Sequence, residues 1–206
     1  MRPRLCASLR NPRLRICRSA KPVVSPDGKY VAFVGYDDKK LGYQITRLYV
    51  MKADGSAKRL LTETFNRDVQ GPLWTNDSKS IVFQYDDRGT TKIGRATLTG
   101  KITGEIVANV GGTTIGRPYP GGSFSISASG QIAFTKSRPN YPADVAVSID
   151  DPKKSILLTK LNDDLFGKKE LGKTESFTFK SSYDKRSIHG WIVKPPGYKP
   201  GKKYPL

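Results

Sequence analysis

Histidine occurs once in these 206 residues, as His189, and cysteine only twice, as Cys6 and Cys17. The two cysteines fit no zinc or redox spacing, and nothing in the patterned part of the chain needs a disulfide, so neither a metal centre nor a compartment is read from them. His189 lies in Ser187-Ile188-His189-Gly190-Trp191-Ile192-Val193, an alternating strand pattern with no serine in a nucleophile's context nearby. A general base built on histidine is therefore not expected. The Gly-x-Ser-x-Gly elbow of α/β-hydrolases is absent too: Gly121-Gly122-Ser123 and Ser127-Ala128-Ser129-Gly130 read as turns. The sequence thus offers no catalytic, cofactor-binding or metal-ligating residue, and no cofactor is expected. No run is long and apolar enough to span a membrane, and no unbroken apolar core marks a secretory signal. A soluble chain is expected, with its compartment unread.

Acids are missing from both ends. The first 21 residues carry Arg2, Arg4, Arg10, Arg13, Arg15, Arg18 and Lys21, and the last 22 carry Lys185, Arg186, Lys194, Lys199, Lys202 and Lys203. Thirteen of the net +18 charges therefore sit at the ends, and the basic character does not spread along a face as a nucleic-acid groove would require. Nucleic acid is not the expected partner. Residues 1–21 show no strand alternation and contain Pro3 and Pro12, so a basic, disordered arm is expected there; an Arg-rich transit peptide is the other reading.

What the sequence does have is a repeat. Val24-Ser25-Pro26-Asp27-Gly28-Lys29-Tyr30-Val31-Ala32-Phe33 returns 50 residues later as Trp74-Thr75-Asn76-Asp77-Ser78-Lys79-Ser80-Ile81-Val82-Phe83. A third, shortened form, Ser127-Ala128-Ser129-Gly130-Gln131-Ile132-Ala133-Phe134, follows 51 residues on. Each copy is a polar turn entering an alternating β-branched and aromatic run, the pattern of a hairpin and strand. Arg59-Leu60-Leu61-Thr62 and Ile156-Leu157-Leu158-Thr159 match as closing strands. A period near 50 fits a four-stranded propeller blade, and residues 22–160 read as about three blades, all-β, with an ordinary antiparallel sandwich as the alternative. Phe33, Phe83 and Phe134 are expected at equivalent buried positions, with Val24 and Trp74 matching one another a turn earlier. Phe33, in the outermost blade, should be the cheaper of the phenylalanines to truncate. The acid pairs Asp37-Asp38 and Asp86-Asp87 recur at matching places; turn capping suits them better than cation binding, since no glycine-spaced calcium loop follows.

After residue 160 the character changes. Residues 161–174 read as a linker with one possible helical turn. Two strand-like runs follow, Glu175-Ser176-Phe177-Thr178-Phe179-Lys180 and residues 188–193, with a polar turn between. The second ends in Lys194-Pro195-Pro196-Gly197-Tyr198, where proline stops ladder bonding. Leu158-Thr159-Lys160-Leu161-Asn162, Phe177-Thr178-Phe179-Lys180-Ser181, the stretch from His189-Gly190-Trp191 to Tyr198, and Gly201-Lys202-Lys203-Tyr204-Pro205-Leu206 together resemble the propeller-to-hydrolase junction of the prolyl oligopeptidase family. The likeness is to its acylaminoacyl-peptidase and dipeptidyl-peptidase branch. The Ser25-Pro26-Asp27-Gly28-Lys29 turn is similar to the repeat of that branch, and also to TolB-like propellers.

The resemblance implies a partial β-propeller over residues 22–160, a linker over 161–174 and, over 175–206, the β-hairpin that begins an α/β-hydrolase domain. It implies a serine exopeptidase acting on short or N-acylated peptides, whose propeller gates access to the Ser-Asp-His triad. Its partners would be peptide substrates, further blades and the hydrolase domain. No triad member maps onto this sequence, so the chain alone is expected to be inactive. The paired glutamates with which some dipeptidyl peptidases hold a substrate's amino terminus have no counterpart either: Glu63, Glu105, Glu170 and Glu175 stand singly. A non-catalytic TolB-like module that binds a protein or peptide is the alternative.

Overall fold

The turn at Ser25-Pro26-Asp27-Gly28-Lys29 fixes its own geometry. Ser25 Oγ accepts the amide of Tyr30 at 2.9 Å and donates to the Asp27 carboxylate at 2.6 Å, while that carboxylate accepts the Lys29 amide at 3.1 Å. The second copy repeats this bond for bond: Thr75 Oγ1 accepts the Ser80 amide at 3.1 Å and donates to Asp77 at 2.6 Å, and Asp77 accepts from Lys79 at 3.0 Å. In the shortened copy Ser127 Oγ accepts the Gln131 amide at 3.0 Å. Hydroxyl and carboxylate side chains that bond backbone a few residues on are what make such turns stable. The fourth turn position has φ of +72° at Gly28, +58° at Ser78 and +88° at Gly130, which glycine adopts without strain.

The computed structural model describes residues 14–16, 21–112, 121–148 and 154–205. Strand β1 (Leu14–Ile16) is followed by the first blade, β2 (Val23–Val24), β3 (Tyr30–Asp37), β4 (Arg47–Lys52) and β5 (Arg59–Leu60). The second blade is β6 (Gln70–Trp74), β7 (Ser80–Asp87), β8 (Thr90–Thr97) and β9 (Ile102–Val110). The third is β10 (Phe124–Ile126), β11 (Ile132–Arg138), β12 (Tyr141–Ser148) and β13 (Ile156–Leu157). Each blade is a four-stranded antiparallel meander in chain order, and one residue pair, Lys136 with Val110, joins the second and third. Helix α1 (Asp163–Phe166) and the hairpin β14 (Lys173–Lys180) and β15 (Ser187–Lys194) complete the chain's described elements. The fold is therefore a part-propeller of three blades followed by a β-hairpin. Of the basic arm, Leu14–Ile16 runs antiparallel to residues 35–37 of β3; its other residues up to 20, with Cys6 and Cys17, lie outside the described residues.

Registers place equivalent residues together: Val24 faces Val31, Trp74 faces Ile81 and Ile126 faces Ile132. Alternation then sorts the faces. Ala32, Val34, Leu48 and Val50 of the first blade meet Trp74, Ile81, Phe83 and Tyr85 of the second in one apolar cluster. The second blade's opposite face, with Val82, Ile93 and Val107, meets Ile132, Phe134 and Ala146 of the third. Phe33, Phe83 and Phe134 are all buried, and Phe33 stacks on Tyr49 with ring centroids 5.4 Å apart. Two polar bonds stitch the first pair of blades: Trp74 Nε1 donates to the Val23 carbonyl at 2.9 Å, and the Asp27 amide donates to Ser78 Oγ at 3.1 Å.

Val24 and Trp74 hold the matching register position as expected but differ in burial. Val24 is 61 % exposed while Trp74 is buried. Trp74 has the first blade in front of it; Val24 lies on the first blade's opposite side, away from the second. The closing strands agree more closely. The Leu61 amide donates to Leu48 O and the Leu48 amide to Thr62 Oγ1; the Leu158 amide donates to Val145 O and the Val145 amide to Thr159 Oγ1. One Leu-Thr step thus ends both outer strands with the same pair of bonds.

Phe83→Ala should lower unfolding free energy by about 3–5 kcal/mol in denaturant melts, the cost of emptying a fully packed aromatic site. Phe33, at 1 % exposure against 0 % for Phe83, should fall in the same range rather than below it. A loss under about 1.5 kcal/mol at either would mean that the site collapses or that its surroundings are not packed as described.

Candidate functional site at the loop end of the blades

Meandering blades alternate ends, so the loops after each second and each fourth strand share one end of the array. Residues 38–46, residues 61–69 and the Arg88-Gly89 turn meet there. Asp68 ties two of these loops together, accepting the Thr46 amide at 2.6 Å and the Tyr43 hydroxyl at 2.5 Å. The carboxylate's hold on its proton raises the Tyr43 pKa above the ordinary phenol value. Phe65 anchors the 61–69 loop, lying edge-on to Phe83 at 5.7 Å and to Tyr85 at 4.9 Å. Between the loops is a cleft of about 370 Å³ lined by Tyr43, Ile45, Asn66, Arg67, Asp68 and Asp86.

A chain of charges braces the cleft wall. Arg67 Nε and Nη2 donate to Asp87 at 2.9 and 2.6 Å, Lys92 Nζ reaches Asp87 at 3.0 Å, and Lys92 pairs with Glu105 at 2.8 Å. Burial alone would raise the Asp87 pKa, but the hydrogen bonds from Arg67 and Lys92 outweigh it and hold the carboxyl below its usual range. Burial likewise works against the Lys92 ammonium, and the Glu105 and Asp87 carboxylates overcome it and raise its pKa. Asp86 accepts from Thr91 Oγ1 at 2.6 Å, and Asp38 accepts the Lys40 amide at 2.9 Å. Of the two acid pairs, Asp38 accepts a backbone amide as a turn cap does, Asp86 bonds a side chain across the hairpin, and Asp87 anchors the ion-pair chain, a role the sequence did not suggest.

The hairpin lies at this same end. Alternation puts Phe177, Phe179, Ile188 and Ile192 on one face of it, half exposed, and His189, Trp191 and Val193 on the other. His189 lies edge-on to Trp191 with centroids 4.3 Å apart, and its buried Nδ1 makes no hydrogen bond. Among the described residues no serine hydroxyl bonds to it. Three of the four glutamates are engaged: Glu105 to Lys92, Glu175 to Lys194 at 2.5 Å and Lys173 at 3.2 Å, and Glu170 to the Gly197 amide at 3.1 Å. Among the described residues no group of three or more His, Cys, Asp or Glu side chains is placed to hold a metal ion, and no helix is long and apolar enough to cross a membrane. The cleft presents hydrogen-bonding groups and charges of both signs.

Two titrations follow. Replacing Asp87, whose side chain is 20 % exposed, by Asn should cost about 1–3 kcal/mol at neutral pH. Because the folded pKa is depressed, this contribution is present above the unfolded value of 3.8 and is lost as pH falls through the folded one. Stability curves of the parent and the Asp87→Asn variant should therefore converge in acid; parallel curves would contradict the ion-pair chain. Tyr141 donates its hydroxyl proton to Asp163 of α1, and its pKa is pushed up to about 12 from 10.0 by that bond first, then by desolvation and the carboxylate charge. The bond's stabilisation is present below pH 10 and lost as pH rises through about 12. Ultraviolet titration with Tyr141→Phe as the blank should show it; ionisation near 10 would show α1 undocked.

No protein-family profile matches the chain. Dipeptidyl-peptidase 5 of Trichophyton equinum is 26 % identical over 192 residues, covering 91 % of this chain and 25 % of the relative. The chain thus spans about a quarter of the length of the curated relatives it matches. The acylaminoacyl peptidase of Pyrococcus horikoshii superposes with a TM-score of 0.64 at 19 % identity, over 91 % of this chain and 26 % of that one. The β-propeller domain of the trilobed protease from Pyrococcus furiosus gives 0.50 at 20 % identity, over 73 % and 40 %. The two solved structures share this chain's fold, and the sequence similarity to the curated relative covers 91 % of the chain. In sequence and in fold, the chain resembles the peptidases of the prolyl oligopeptidase family, in their dipeptidyl-peptidase and acylaminoacyl-peptidase branch.

Proposed function

We propose that this chain is the propeller portion of a serine exopeptidase acting on short or N-acylated peptides, in which the blades gate access to a catalytic domain. In this reading residues 22–160 are the propeller part, 161–174 the linker and 175–206 the beginning of the α/β-hydrolase domain. The observation that carries it is the hairpin β14–β15: an isolated two-stranded sheet is marginal in water, and this one leaves Phe177, Phe179, Ile188 and Ile192 of one face half exposed while Trp191 of the other touches the Gly89 turn of the second blade. A free binding module has no use for that apolar face; a domain that continues from the hairpin covers it. Similarity to dipeptidyl-peptidase 5 across 91 % of the chain supports the same origin.

The reading has a genetic and a chemical test. Transcript sequence past the Leu206 codon should encode a His-Gly-Gly-type loop and, further on, a Gly-x-Ser-x-Gly elbow, the oxyanion and nucleophile elements of such a domain. An in-frame stop without them would favour a TolB-like binding module. The purified 206-residue chain should not hydrolyse chromogenic aminoacyl or acyl-aminoacyl substrates. Turnover that survives repurification and disappears on replacing a serine of this chain would overturn that expectation.

A further inference from the structure

Gly89 closes the two-residue turn between β7 and β8. Asp87 pairs with Thr90, and both central residues have positive φ, +49° at Arg88 and +69° at Gly89. Turns of this hand suit the twist of a hairpin and favour glycine or asparagine. Arg88 nevertheless bears a full side chain at such a φ, so the backbone conformation alone does not demand glycine next to it. The Trp191 ring does. A methyl group at residue 89 would lie 2.5 Å from Trp191 Cζ2 and 2.6 Å from Cη2, closer than carbon atoms approach. The indole edge of β15 therefore lies directly on the Gly89 backbone, 102 residues away in sequence. His189 flanks the ring from the same face of the hairpin. The turn beneath is stiffened from below, since Asp87 is held by Arg67 and Lys92, and it also carries Asp86 of the cleft wall.

We propose that Gly89 and Trp191 form a latch that seats the terminal hairpin on the loop end of the second blade and so sets how everything borne on that hairpin is oriented toward the cleft. The hairpin has few other means of support. It makes no ladder with a blade, since its sheet contains β14 and β15 alone. Its outward face is half exposed, and a two-stranded sheet does not hold its shape unaided. Gly89 is the receptor, Trp191 the bolt, and Asp87 a positioning residue that acts through the turn. This inference stands on the contact itself and is independent of any peptidase activity.

The full 206-residue chain serves for the test. Gly89→Ala should expel the indole, and Trp191→Ala should remove it without touching the turn. In both, amides of residues 173–194 should exchange with deuterium about tenfold faster or more than in the parent, while those of residues 80–87 stay protected. Trp191 emission in Gly89→Ala should become more accessible to acrylamide, against the buried Trp74 as internal reference. Gly55→Ala is the control, since Gly55 has φ of +82° but no atom within 4 Å of an added methyl. It shares the backbone strain of Gly89→Ala and should leave hairpin exchange at the parent's rate. Parent-like exchange in Trp191→Ala would overturn the latch whether or not Gly89→Ala folds. So would equal acceleration in Gly55→Ala, because strain alone would then account for the effect.

Discussion

Register is the constraint on which the blades depend, and in each blade it is set by one hydroxyl accepting one amide across a turn. Ser25, Thr75 and Ser127 all do this, to Tyr30, Ser80 and Gln131. A strand's side chains alternate with a period of two, so a slip of one residue would turn Phe83 and Ile81 out of the first interface and Val82 out of the second. The third turn is a residue shorter, yet Ile126 still faces Ile132 as Trp74 faces Ile81. The hydroxyl is the fixed element and the turn length adapts around it. Asp27 and Asp77 strengthen the clasp as carboxylates: hydrogen bonds from Ser25 and Thr75 first, then from the Lys29 and Lys79 amides, hold both below their usual pKa. Both clasps therefore loosen in acid, where protonation removes the charge that the hydroxyl and amide protons are aimed at.

Once register is set, packing follows from the alternation. Each interior blade face is apolar and meets another, so the second blade is clamped on both sides. Trp74 adds a polar bond to the seam, because an indole buried against a neighbour needs an acceptor for its N–H, and the Val23 carbonyl provides it. On the first blade's outer face Phe33 is buried against Tyr49, but the apolar margins beyond are open. Val24 on the first blade and Ile156, Leu157 and Leu158 at the end of the third stay largely exposed. Contacts between nearest neighbours make a blade's stability depend on what lies beside it, and the middle blade has a neighbour on both faces.

Features that depend on local pattern were legible in the sequence. The three turns, the phenylalanines, the Leu-Thr closing steps, the helical turn at 163–166 and the two hairpin strands all rest on contacts within about 30 residues or on a repeat that displays itself. Features that depend on which blade face meets what were not. Val24 and Trp74 occupy one register position and differ wholly in burial, because the sequence shows the position and not the neighbour. Asp87 read as a turn residue since its partner Arg67 lies in the preceding loop, 20 residues back and with no pattern of its own. Phe65 sits in that same loop and gave no strand signal. The glycine at 89 was visible as a turn residue; that an indole rests on it was not, since nothing in either segment points to the other.

These long-range contacts converge on one turn. Asp87, Arg88, Gly89 and Thr90 receive Arg67 from the loop between the first two blades, Lys92 and through it Glu105 from the outer strands, and Trp191 from the hairpin. Arg67 and Lys92 hold the turn through directional charged bonds, whereas Trp191 holds the hairpin by close packing of its indole on bare backbone. Gly89, on which the indole rests, lies three residues from Asp86 of the cleft wall, so the turn that bears the hairpin also bounds the cleft.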